Sequence, residues 1–118
     1  MIASYTDWGF TLQGTPREAA VFANATMEGL GELHPECEMV YYDLGAKRSY
    51  DELTRRNMRV NSLTGYIGYF FATNGLSPEP IHCGSLSCPL GGDYEIALGA
   101  ETEYIEPLQE RIIAIWRS

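Results

Sequence analysis

The chain has 118 residues, 45% hydrophobic and 12% aromatic, which fits one globular domain spanning 1–118 and excludes a disordered, low-complexity protein. Sixteen acids against eight Lys and Arg give a formal net charge of −8, which argues against direct nucleic-acid binding, because duplex binding depends on cations that displace counterions from phosphates. The longest apolar run, YIGYFFA at 66–72, falls well short of the roughly 20 residues that cross a bilayer, so no membrane span is expected.

The amino-terminal MIASYTDWGF lacks the basic start and apolar stretch of a secretory signal, and three cysteines, an odd number, do not suggest a disulfide framework. Both features point to a reducing, cytoplasmic location.

Residues 2–12, IASYTDWGFTL, alternate Trp8, Phe10 and Leu12 on one side and read as a strand whose core face is that trio. In the next segment Thr15 can cap, Pro16 suits the first helical position and Glu18 completes a capping box. Ala19, Phe22, Ala23, Met27 and Leu30 follow at helical spacing and predict a stripe packed on the sheet, with Gly29 or Gly31 ending the helix. After His34-Pro35, the Val- and Tyr-rich segment from Cys37 to Leu44 reads as a second strand. Strand, helix and strand in this order suggest a parallel, adjacent pair joined by a right-handed crossover.

Ser49 and Glu52 spell a second capping box, opening a short surface helix over YDELTRRNM. The bases are segregated: Lys47, Arg48, Arg55, Arg56 and Arg59 lie together, and outside that stretch fourteen acids face three bases. Residues 63–75, LTGYIGYFFATNG, predict a strand buried on both faces, with Gly65 and Gly68 admitting another backbone or a ligand. After the Gly91-Gly92-Asp93 turn, Tyr94, Ile96 and Leu98 alternate with Glu95 and Ala97, the return arm of a hairpin. In EPLQERIIAIWRS, Leu108, Ile112, Ile115 and Trp116 share a helical face, with Pro107 near the helix start. The sum is an α+β fold: a single-layer, mostly antiparallel sheet of four or five strands with two main helices packed on one face.

The stretch IHCGSLSCPLGG, 81–92, holds two of the three cysteines and one of the two histidines. It reads as a turn whose thiols pack in the core as small hydrophobes, and no cofactor is expected. The alternative is structural zinc, with Cys83 and Cys88 as one ligand pair and His34 and Cys37 as the other.

No array of catalytic residues is recognisable, and two functional classes follow. The first is a small acidic non-enzymatic binding protein, an inhibitor or immunity-type module offering an acidic face to a basic protein partner such as a nuclease or nucleic-acid-binding assembly. Glu28, Glu32, Glu36, Glu38 and Asp43 cluster in sequence and are the residues expected to meet that partner. The second is a small-molecule-binding protein or minor enzyme, with a pocket of Trp8, Tyr41, Tyr66 and Tyr69 and with Arg55 or Arg59 meeting an anionic group. The apolar carboxy-terminal helix and an exposed strand edge are both compatible with a homodimer.

Overall fold

The computed structural model describes residues 2–43, 67–74, 79–88 and 93–118. Six strands form one antiparallel sheet: β1 (Ile2–Tyr5), β2 (Gly9–Gln13), β3 (Glu38–Asp43), β4 (Ile67–Thr73), β5 (Ile81–Ser87) and β6 (Tyr94–Leu98), in the spatial order β1-β2-β6-β5-β4-β3. Two helices, α1 (Pro16–Leu33) and α2 (Thr102–Arg117), complete the α+β fold. The sheet has six strands where the sequence suggests four or five, and the two extra strands have separate causes.

The first lies in residues 2–12, which fold as a hairpin and not as one strand. Thr6 turns the chain: its amide donates to the Gly9 carbonyl and its Oγ1 accepts from the Gly9 amide, both at 3.0 Å. Phe10 and Leu12 enter the core as expected, but Trp8 stays in the turn and is exposed. The second is β5, where the sequence suggests a turn. Its pairing to β4 shifts register between Phe70 and Phe71, so that Phe70 faces Gly84 while Phe71 faces His82, leaving Cys83 as the extra residue of a bulge.

Helix α1 starts as the sequence specifies. Thr15 Oγ1 accepts from the Glu18 amide and Glu18 Oε1 accepts from the Thr15 amide, both at 3.1 Å, with Pro16 in the first turn. All five stripe residues, Ala19, Phe22, Ala23, Met27 and Leu30, are buried. The helix continues past Gly29 and Gly31 to Leu33, so neither glycine ends it. Gly29 has another use: a Cβ there would run into Ile112 of α2, and its absence lets the two helices approach closely. The buried Thr26 hydroxyl donates to the Phe22 carbonyl one turn back at 2.9 Å.

The expected parallel neighbours, β2 and β3, point the same way but are not adjacent, because β6, β5 and β4 lie between them. Four strand spacings amount to roughly 19 Å, and an 18-residue helix of about 27 Å spans that width.

Helix α2 begins at Thr102, earlier than Pro107 suggests, so that proline lies inside the helix. Gln109 is buried among the apolar residues of α2, and its Nε2 donates to the carbonyls of Thr6 and Gly9 at 2.7 Å each. This one side chain ties α2 to the β1–β2 turn. Rings continue the link inward: Tyr5 to Phe10 at 5.6 Å, Phe10 to Phe22 at 5.0 Å and Phe22 to Trp116 at 5.1 Å join β1, β2, α1 and α2 in one line.

β4 has buried side chains on both faces, as its aromatic run suggests. Phe70 and Ala72 belong to the core shared with the helices, while Phe71 is buried on the opposite face beside Tyr69 and His82. Gly68 makes room for the Tyr41 ring, a side chain of the core, and not for a ligand or backbone. No helix among the described residues is long and apolar enough to cross a membrane. The expected helix over 50–58 and the basic run 47–59 lie outside the described residues.

Candidate functional site

The end of α1 and the start of β3 form the first candidate surface. Residues 34–37 join them in a tight turn, in which the His34 amide donates to Leu30 and the Cys37 amide to His34. The turn brings Asn24, Met27, Glu28 and Gly31 of α1 beside Cys37, Glu38 and Met39, and together they line an open groove of about 520 Å3. Glu28 and Glu38, distant in sequence, therefore share one groove with a floor of methionine and thiol, and Glu36 is exposed in the turn beside it.

The other two acids of the expected cluster fare differently. Glu32 is already paired: its carboxylate accepts two bonds from Arg111 of α2, both at 2.7 Å. Those bonds hold the Glu32 carboxyl below its ordinary pKa and push the Arg111 guanidinium up. Asp43 ends β3, and five residues of extended chain place its backbone roughly 17 Å from Glu38. It does not share the groove.

Two of the cysteines separate as well. Cys83 is buried in the core, 1% exposed, at the start of β5. Cys88 follows the other end of that strand, five residues or roughly 17 Å along the chain direction. The four residues of the zinc alternative, His34, Cys37, Cys83 and Cys88, thus do not gather at one point. Among the described residues no group of three or more His, Cys, Asp or Glu could hold a metal ion. Burial pushes the Cys83 thiol up to about 11, so at neutral pH it is protonated and a poor nucleophile.

The aromatic pocket of the second functional class does not assemble from its described members. Trp8 is exposed in the β1–β2 turn, with its carbonyl accepting from the Leu98 amide. Tyr41 packs on Phe70 in the core, and Tyr69 lies on the far face of the sheet, 5.8 Å from the His82 ring. Tyr66, Arg55 and Arg59 are outside the described residues.

A second groove, absent from the sequence reading, runs between the β1–β2 turn and α2. Tyr5, Asp7, Ile105, Glu106 and Glu110 line it, with the clamped Gln109 at its base. Its components lie about a hundred residues apart, so spacing could not reveal it. The sequence signal was the composition of Tyr5-Thr6-Asp7-Trp8, two aromatics around an acid in a segment read as strand.

No protein-family model matches this chain, and neither the curated proteins nor the solved structures include a match.

Proposed function

We propose that this protein is a non-catalytic binding module that takes a basic protein partner on an acidic surface. The observation that carries the reading is the charge of the described residues, fourteen acids against Arg17, Arg111 and Arg117. One of those three bases is committed to Glu32 within the molecule. Carboxylates at this excess attract cationic surfaces over a Debye length and exclude acidic ones.

Glu28, Glu36 and Glu38 are the contact residues at the α1–β3 groove, where methionines supply an adaptable apolar floor. Glu32 contributes through its pair with Arg111, which fixes the acidic flank of α1 against α2. Asp43, at the other end of β3, is not part of that contact. A nuclease or nucleic-acid-binding protein suits the charge best, since such proteins present Lys and Arg to phosphates, and an acidic module of this kind occludes that surface as an inhibitor or immunity-type protein does.

The test is binding of the intact protein to a panel of purified basic nucleases and nucleic-acid-binding proteins. Saturable binding to at least one of them is expected, with an association rate that falls steeply with salt and drops ~10-fold in Glu28→Gln/Glu36→Gln/Glu38→Gln. Binding indifferent to both salt and those substitutions would sink the reading.

A further inference from the structure

The groove between the β1–β2 turn and α2 differs in kind from the α1–β3 groove, because it combines carboxylates with exposed aromatic surface. Tyr5, which lines it, is 56% exposed, one of the six large hydrophobics left open to solvent among the described residues. Tyr5 and Ile105 give the groove apolar walls, while Asp7, Glu106 and Glu110 supply three exposed carboxylates. None of the residues lining it is basic, and the nearest guanidinium in sequence, Arg111, is turned to Glu32 on the other flank of α2. Glu106 and Glu110 also lie beyond the first turn of α2, where the positive end of the helix dipole no longer offsets their charge.

The groove is held in shape before anything binds. Gln109 clamps the carbonyls of Thr6 and Gly9, and the Thr6–Gly9 bonds close the turn, so the backbone that carries Tyr5 and Asp7 is set against α2 in advance, which lowers the ordering cost of binding.

We infer that this groove docks an arginine-bearing segment of a protein partner. Arginine matches both halves of the lining: its guanidinium stacks on a tyrosine ring and bonds carboxylates in a bidentate fork, while its aliphatic stem covers apolar wall. The lining on α2, from Thr102 to Glu110, is about 12 Å long, the span of roughly four residues of extended chain. A segment of that length alternating arginine with an apolar residue meets carboxylates and apolar wall in turn. This goes beyond the proposed function, with which it shares only the positive charge of the partner, since the two surfaces lie on different flanks of the helical layer.

The test is amide chemical-shift mapping on the intact protein with the acetylated tetrapeptide Leu-Arg-Leu-Arg amide, in about 0.15 M salt. Its isostere carrying citrulline for arginine keeps the shape and removes the charge. Saturable shifts are expected at residues 5–8 and 102–110, weakened ~10-fold both by citrulline and by Asp7→Asn/Glu106→Gln/Glu110→Gln. Glu28→Gln/Glu36→Gln/Glu38→Gln removes the same charge elsewhere and should leave the affinity within about threefold. Equal losses from the two triple variants would reduce the groove to general acidic attraction and overturn the inference. Shifts centred on the α1–β3 groove would overturn it too, while leaving the proposed function standing. Displacement of the peptide by equimolar spermidine would make this a small-polycation site instead. The wild-type-like remainder of each variant's spectrum establishes that it is folded.

Discussion

Helices α1 and α2 pack against each other over the same sheet, yet they are secured by different means. α1 has its reciprocal cap at Thr15 and Glu18 and buries nine residues, five of them alanine or glycine, so that it sits deep against the strands. α2 has no side-chain cap at Glu101, carries a proline inside, and buries only Leu108, Gln109, Ile112 and Ile113. Exposed acids stand on both helices, Glu28 and Glu32 on α1 and Glu103, Glu106 and Glu110 on α2. α1, held along its whole face, should contribute the larger share of the stability, and α2, held by a few contacts, the smaller.

That division can be broken by experiment. The largest effect is expected at the centre of α1: Phe22→Ala removes a fully buried ring in contact with Phe10 and Trp116 and should cost about 3–5 kcal/mol in urea unfolding. Ile115→Ala, in the half-buried part of α2, should cost less, and an equal or larger loss there would reverse the assignment. Gln109 is the exception on α2. Gln109→Leu takes the side-chain donor from the Thr6 carbonyl and one of two donors from the Gly9 carbonyl and should cost about 2 kcal/mol, with faster hydrogen exchange at the Thr6 and Gly9 amides; unchanged exchange would mean that the turn holds itself.

Smaller again is the cap. Thr15→Ala should cost about 1 kcal/mol, and Glu101→Ala, which loses no cap bond, much less. The smallest effect belongs to the exposed pair between the helices. Arg111→Ala should lower the melting temperature slightly, and less so at high salt. Because Arg111 holds the Glu32 carboxyl below its ordinary 4.5, the pair contributes above that pH and its contribution is lost as pH falls. The melting curves of Arg111→Ala and the parent should therefore converge in acid; a gap that persists there would assign the effect to packing.

The same contrast governs what could be read in advance. The start of α1 is spelled in four consecutive residues, Thr15 to Glu18, and its stripe in a regular period, so local chemistry alone determines it. The start of α2 is not, because Pro107 is a stronger punctuation mark than anything at Thr102. β5 was hidden because its bulge at Cys83 breaks the two-residue rhythm and its Gly, Ser and His residues bring little apolar surface. Pairing on both sides, to β4 and β6, makes it a strand. Of the expected acidic cluster, Glu28 and Glu38 meet because a helix end and a strand start adjoin, while Asp43 is carried off by the rise of the strand itself. Gln109 reads as a surface residue in any helix pattern, and only the folded turn above it gives its amide a use.

The strand order also carries a consequence for how the chain assembles. β1 and β2 pair locally, and β3, β4, β5 and β6 pair in chain order, but in the sheet the two halves meet only along the four pairs from Gly9 opposite Ala97 to Leu12 opposite Tyr94. β1 and β2 are three residues apart and β4, β5 and β6 follow one another at six or seven, whereas 23 residues separate β3 from β4 and about eighty separate β2 from β6, so closure of that seam is the expected slow step of folding. During synthesis the apolar stripe of α1 leaves the ribosome long before β6 completes the surface beneath it. In that interval the stripe is uncovered, the condition in which apolar surface favours aggregation.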